Sequence, residues 1–169
     1  MGRRGRRGLA RLMLGDATAK VMGYAPCPVM VVPKSAGMWR HMLLATDGSR
    51  SSDAATVTAA AMAKCCGTPL TVLSVKVPIH TEQRQAEAQP IVDRAVNYLR
   101  QEGVAAEGLI KEGLADEVIV DVANDLGNVL IILGSHGRTG LVWALFGSKT
   151  ERVINHANCA VLVVGGGSA

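Results

Sequence analysis

Gly134-Ser135-His136-Gly137, nine further residues and then Gly147-Ser148 are the part of this 169-residue chain whose types and spacing point most directly to chemistry. Glycines permit positive φ and let backbone approach a ligand closely, so several N–H groups can converge on phosphate oxygens. A helix starting near Ser148 would add the partial positive charge of its N-terminus, with the Ser148 hydroxyl as a further donor. That hydroxyl could also be an N-cap, and the two uses are compatible because both engage the same free N–H groups. The loop is not a P-loop: no G-x-x-x-x-G-K-[ST] run occurs, and Gly147-Ser148-Lys149-Thr150 lacks the Lys directly after Gly. No G-x-G-x-x-G follows the first strand, so a dinucleotide fingerprint is absent too. His136 has no Ser, Cys or carboxylate partner assignable from sequence, and reads as a loop histidine facing solvent or phosphate instead of a general base. Asp47, in the turn Ala45-Thr46-Asp47-Gly48-Ser49, either faces a ligand from a strand end or merely fixes an Asp-Gly turn.

The elements that must position these residues follow from alternating apolar runs and helical periods. His41 to Thr46 is a short strand; Ser51 or Ser52 then caps a helix with Ala54, Val57, Ala61 and Cys65 on one face, stopped by Gly67. Leu70 to Val75 is the second strand. A connection with Pro78 and Pro90 leads to a helix holding Ile91, Ala95, Tyr98 and Leu99, which Pro90 either begins or kinks. Val104 to Lys111 reads as an edge strand. Asp116 and Glu117 suit the first turn of the next helix, whose stripe is Val118, Ile119, Val122 and Leu126. Val129 to Leu133, a helix of about ten residues after the loop, and Ala160 to Val164 complete the series. Such β-α alternation, with strands apolar on both faces, predicts a parallel sheet covered by helices on each side, with function in the loops after Thr46, Val75 and Leu133.

Composition removes other classes. With 49% hydrophobic residues the chain can fill a core, and no apolar run reaches the roughly 18 to 20 residues of a membrane span. Five aromatic residues leave almost no stacking platform for single-stranded nucleic acid. The net charge of +4 is unevenly placed: residues 1–37 carry +6 and the remainder −2, so the main body is slightly acidic. The four cysteines form no C-x-x-C pair and read as buried thiols in a reducing, cytoplasmic setting. Asp116, Glu117, Asp121 and Asp125 read as the solvated face of a helix, not as a metal site.

A shift of 132 places Gly2, Gly5, Arg6, Gly8, Leu9, Gly15, Thr18, Val21, Ala25, Cys27, Val29, Val31 and Val32 on identical residues, thirteen in 31 positions. Residues 1–33 therefore read as the last loop, helix and strand of a second copy whose earlier part is missing, and 34–37 as a linker. The arginines at 3, 4, 6 and 7 fall in its loop, which reads as vestigial in preference to a nucleic-acid contact.

The G-2x-G-9x-G-[ST] pattern, the turn after the first strand and the terminal Ala160-Val161-Leu162-Val163-Val164 together resemble the universal stress protein family over residues 38–165, and 2–33 resemble the tail of another such domain. The resemblance implies an α/β domain with a five-stranded parallel sheet and helices on both faces, Rossmann-like, of the adenine-nucleotide alpha-hydrolase type and of the ATP-binding branch, followed by a tail at 166–169. It implies ATP or AMP as ligand, with Mg²⁺ carried by the phosphates. Asp47 would face ribose and phosphates, with Ala45 and Thr46 beside it. The Val75 backbone would meet the adenine. Gly134, His136, Gly137, Arg138, Gly147, Ser148, Lys149 and Thr150 would surround the phosphates. In the N-terminal copy Asp16 stands where Ser148 stands, and a carboxylate there disfavours phosphate.

Three functions follow as expectations: a nucleotide-binding regulatory module in stress adaptation, a slow ATPase, or an assembly protein with an empty site. No catalytic residue is assigned. The resemblance also implies a homodimer through the last strand, or an intrachain equivalent in which 28–32 pairs antiparallel with 160–164. An exposed apolar strand at 29–32 would otherwise be an aggregation hazard.

Overall fold

The computed structural model describes residues 2–3, 16–34, 36–138 and 147–165. In chain order the elements are β1 (Gly2–Arg3), α1 (Asp16–Tyr24), β2 (Val29–Pro33), β3 (His41–Ala45), α2 (Arg50–Cys66), β4 (Leu70–Lys76), α3 (Glu82–Ala86), α4 (Ala88–Gln101), β5 (Ala106–Glu112), α5 (Ala115–Leu126), β6 (Val129–Gly134), α6 (Ser148–His156) and β7 (Ala160–Val164). The sheet order is β1-β2-β7-β6-β3-β4-β5, and β3 to β7 are parallel throughout. Those are the five strands expected. A sixth, β2, joins antiparallel on β7, and the two-residue β1 lies parallel on β2.

Because β3, β4, β6 and β7 are buried on both faces, the sheet carries two cores. On one face Ala55, Ala59, Ala60 and Ala63 of α2 and Val92, Ala95, Val96 and Leu99 of α4 cover Met42, Leu44, Val72 and Ile132. On the other, Ile119, Val122 and Ala123 of α5 and Val153 and Ile154 of α6 cover Leu43, Leu73, Ile131 and Val161, joined by Met22, Val29 and Val31 from the N-terminal segment.

Several sequence expectations shift. The cap of α2 is Ser49, whose hydroxyl accepts from the Ser52 N–H, and Gly67 in the left-handed region closes the helix. The buried face of α2 is Ser51, Ser52, Ala55, Thr56, Ala59, Ala60 and Ala63; Val57 is 54% exposed, and Ala61 and Cys65 face solvent. An alanine-rich helix has little apolar contrast around its circumference, so the sheet selects the face. Cys27, Cys65 and Cys66 are exposed and Cys159 is half-buried, which overturns the reading of four buried thiols. Asp116 is buried, with Arg152 Nη1 at 3.7 Å, whereas Leu126 is exposed. Pro90 sits in the first turn of α4, where its missing N–H has no helical partner to lose. The short helix α3 was not expected.

The segment 16–33 repeats the geometry of 148–165 at the same offset of 132. Helices α1 and α6 both run nine residues, and their starts differ by 132. Gly2 pairs with Val32 as Gly134 pairs with Val164. The Ala25 N–H donates to Val21 O at 2.8 Å, and the Ala157 N–H to Val153 O at 2.8 Å. In the antiparallel pair, Met30 faces its own counterpart Leu162, while Val29 faces Val163 and Val31 faces Val161. Such reciprocal pairing is that of a two-fold interface. The arginines at 4, 6 and 7, the linker residue 35, the loop 139–146 and the tail 166–169 lie outside the described residues.

Candidate functional site

The chain runs from β3 outward through β4 to β5 and then crosses to β6 on the other side of β3. The carboxyl ends of β3 and β6 are thus where strand order reverses, the place where open α/β sheets bind ligands. A cavity of about 440 Å³ lies there. That volume is within the range that holds a small-molecule ligand.

Two loops build its polar end. After β3, the Thr46 N–H donates to Leu73 O at 2.9 Å and the Thr46 hydroxyl donates to Ser52 Oγ at 3.1 Å. Asp47 Oδ1 accepts from the Ser49 N–H at 3.0 Å, closing an Asx turn around Gly48, whose φ is +72°. Asp47 Oδ2 accepts from the Arg138 N–H at 3.0 Å, so one carboxylate ties this turn to the glycine loop 91 residues later. The Ser49 hydroxyl donates to His136 O at 3.2 Å, and the Ser51 hydroxyl donates to the same carbonyl. After β6, the Ser135 N–H donates to Val164 O at 2.8 Å and the Gly147 N–H to Ser135 O at 2.7 Å. The Thr150 hydroxyl donates to Gly134 O at 3.0 Å.

These contacts explain the glycines differently from the sequence expectation. Gly134, Gly137 and Gly147 are not among the positive-φ residues. A Cβ at 134 would lie 2.5 Å from Ser51 Oγ and 2.8 Å from the Ser51 carbonyl carbon, and one at 137 would lie 2.9 Å from Asp47 Oδ2. What the loop requires at both positions is the space taken by the α2 N-terminus and the Asp47 turn. Helix α6 has Gly147 at its N-cap with no side-chain cap bond, so Ser148 is its first residue and not its cap. Among the described residues no side chain caps the N–H groups of that first turn.

Every residue singled out from sequence borders this cavity: Ala45, Thr46, Asp47, Val75, Gly134, His136, Gly137, Arg138, Gly147, Ser148, Lys149 and Thr150. Within that set Thr150 holds the Gly134 carbonyl, Ser135 Oγ lies 3.0 Å from His136 Nδ1, and Arg138 forms an ion pair with Glu87 at the start of α4. The sequence reading gives no ligand role to Ser49, Ser52, Ile91, Ala115 and Ile119, or to His80 and Arg84 from the β4–α4 connection, all of which also line the cavity. Partial burial, then Arg84 and Lys149 nearby, hold His80 below its ordinary pKa. Among the described residues no group of three His, Cys, Asp or Glu is placed to hold a metal ion, and no helix is long and apolar enough to cross a membrane.

The sequence profile of the universal stress protein family matches residues 1–33 and again 38–165. The chain belongs to the universal stress protein family. It is 35% identical over 85 residues to universal stress protein Sll1388 of Synechocystis sp., covering 50% of this chain and 55% of that one. With universal stress protein MJ0577 of Methanocaldococcus jannaschii it shares 41% identity over 78 residues, covering 46% and 48% respectively. The matched stretches thus span about half the length of these curated relatives. The solved structure of MJ0577 superposes with a TM-score of 0.70 at 29% identity, covering 79% of this chain and all of that one. A universal stress protein from Archaeoglobus fulgidus has a TM-score of 0.76 at 24% identity, covering 99% of this chain and 61% of that one. The second superposition takes in the N-terminal segment as well as the domain, a likeness of fold.

Proposed function

We propose that this universal stress protein binds an adenine nucleotide, ATP or AMP, in the cavity at the β3–β6 switch point, and acts as a nucleotide-responsive module in stress adaptation. The observation that carries the reading is the convergence of two separate sequence features, the Asp47 turn and the Gly134–Thr150 loop, on one cavity and their joining by the Asp47–Arg138 bond. Phosphates fit the end formed by Gly137, Gly147 and Ser148, where a helix N-terminus without a side-chain cap supplies N–H groups and a positive dipole. The base fits the apolar wall of Ala88, Ile91, Ala115 and Ile119. There the β3 pairing stops at Leu73, which leaves the β4 backbone at Val75 beyond its partner on that side and able to meet an adenine edge. Mg²⁺, where carried, is held through the phosphate oxygens.

Calorimetric titration with ATP and AMP, with and without Mg²⁺, tests this. Binding in the parent and its loss in a folded Gly137→Asp variant, whose new carboxylate would meet Asp47, is the expected result. No binding to nucleotide-stripped parent would reject it.

Residues 1–33, in the same reading, are the closing loop, helix and strand of a second copy of the domain, and β2 stands on β7 as a partner's last strand would in a homodimer. The shared offset of 132 in helix bounds, strand register and turn bonds supports this. At the position of Ser148 that copy has Asp16, whose carboxylate disfavours phosphate.

A further inference from the structure

The cavity carries cationic side chains that the glycine loop does not account for. His80 and Arg84 reach it from the β4–α4 connection and Lys149 from the first turn of α6. Although they belong to different walls, both Arg84 and Lys149 are near enough to His80 to disfavour its protonation. The connection is built to hold them: the His80 N–H donates to Val77 O at 2.9 Å, Gln85 Nε2 donates to His80 O at 2.9 Å, and the Thr81 hydroxyl caps α3 by accepting from the Arg84 N–H at 3.4 Å.

Among the described residues, Arg84 and Lys149 take part in no ion pair, in contrast to Arg138 with Glu87. Among the described residues the carboxylates bordering the cavity are Asp47 and Glu151, and Asp47 already accepts two backbone N–H groups. Arg84 and Lys149, two cations on one cavity with neither held in an ion pair, repel one another, and a multiply charged anion relieves that repulsion. Lys149 directly follows Ser148, so this cationic group adjoins the proposed phosphate cradle.

We infer that His80, Arg84 and Lys149 form an outer anion subsite for the terminal phosphates of a nucleoside triphosphate, which makes the cavity select ATP over AMP. The inference rests on the nucleotide reading above. A single phosphate is satisfied by the loop and the α6 N-terminus; the second and third extend toward the mouth, where charge-assisted bonds to Arg84 and Lys149 await them.

Titration of the parent and an Arg84→Gln variant with ATP and with AMP separates the possibilities. ATP affinity is expected to fall about five- to tenfold in the variant and AMP affinity by less than about twofold, with Arg84→Lys restoring most of the difference. In the parent alone, ATP binding is expected to weaken more steeply with added salt than AMP binding, a readout independent of any variant. Parallel weakening of both nucleotides by Arg84→Gln, equal salt dependence, or equal affinities in the parent would overturn the outer subsite while leaving nucleotide binding intact. A parent that binds neither nucleotide would overturn both.

Discussion

Helix α6 with β7 and helix α1 with β2 repeat one another at an offset of 132 and share Thr18 with Thr150, Val21 with Val153 and the strand valines, yet they are not buried alike. Val153 is 1% exposed and its counterpart Val21 is 40% exposed. β7 is buried at every position, whereas β2 alternates between buried and half-buried. The difference lies in the neighbours. β7 lies between β6 and β2, and α6 has α5 beside it, with Arg152 reaching Asp116. Local sequence is enough to set a helix, its length and the strand after it; whether a given valine is core depends on what else stands on that face of the sheet.

Removing residues 1–37 attacks this comparison most strongly. It frees the β7 edge, and because the β2–β7 register is reciprocal about Met30 and Leu162, a second copy of the shortened chain is expected to pair there in a register centred on Leu162. Light scattering after size exclusion should show a dimer at concentrations where the full chain shows none of this pairing; an unchanged mass would refute it. A smaller effect should come from the two valines. Val153→Ala is expected to cost about 1.5–3 kcal/mol and Val21→Ala within about 0.5 kcal/mol in urea unfolding. Equal costs would mean that the N-terminal helix is as well covered as its counterpart.

The smallest effect is a control in β3, a strand that residues 1–33 do not repeat. His41 Nε2 lies 2.8 Å from Thr71 Oγ1, which donates to Glu107 at 3.0 Å. Burial holds the His41 pKa below its ordinary 6.5, with Glu107 opposing that shift. The unfolded chain therefore takes up this proton at higher pH than the folded one. Stability is full above the ordinary value, falls as pH drops through it, and levels off below the folded value. His41→Gln should flatten that part of a pH–stability curve, and an unaltered curve would rule His41 out as its source.

Much of this architecture is legible in the sequence. Val129 to Leu133 and Ala160 to Val164 are apolar throughout because both sheet faces are covered, and Gly67 and Gly127 end their helices where expected. The α2 face was misread because alanines lie on every side of it, and what buries Ser51, Ser52 and Thr56 is the sheet below together with the hydroxyl network around His136. Asp116 looked like one of four solvated acids, but its place in the first turn of α5 points it at α6. Helix α3 buries none of its residues and so left no periodic trace. The loop and turn residues were found because their motifs are local. Ser49 was within reach, since a serine three residues before Ser52 has the spacing of a helix cap. The loop after Val75 that carries His80 and Arg84 is expected to bear function, but which of its residues reach the cavity depends on how a connection without a hydrophobic pattern folds over it.

The linker between β2 and β3 is seven residues, 34–40. So short a tether holds β2 near the edge it covers at an effective concentration on the order of millimolar. Edge protection in this chain is therefore a unimolecular event, indifferent to dilution, whereas a strand borrowed from a separate molecule would leave the edge bare whenever the protein became scarce.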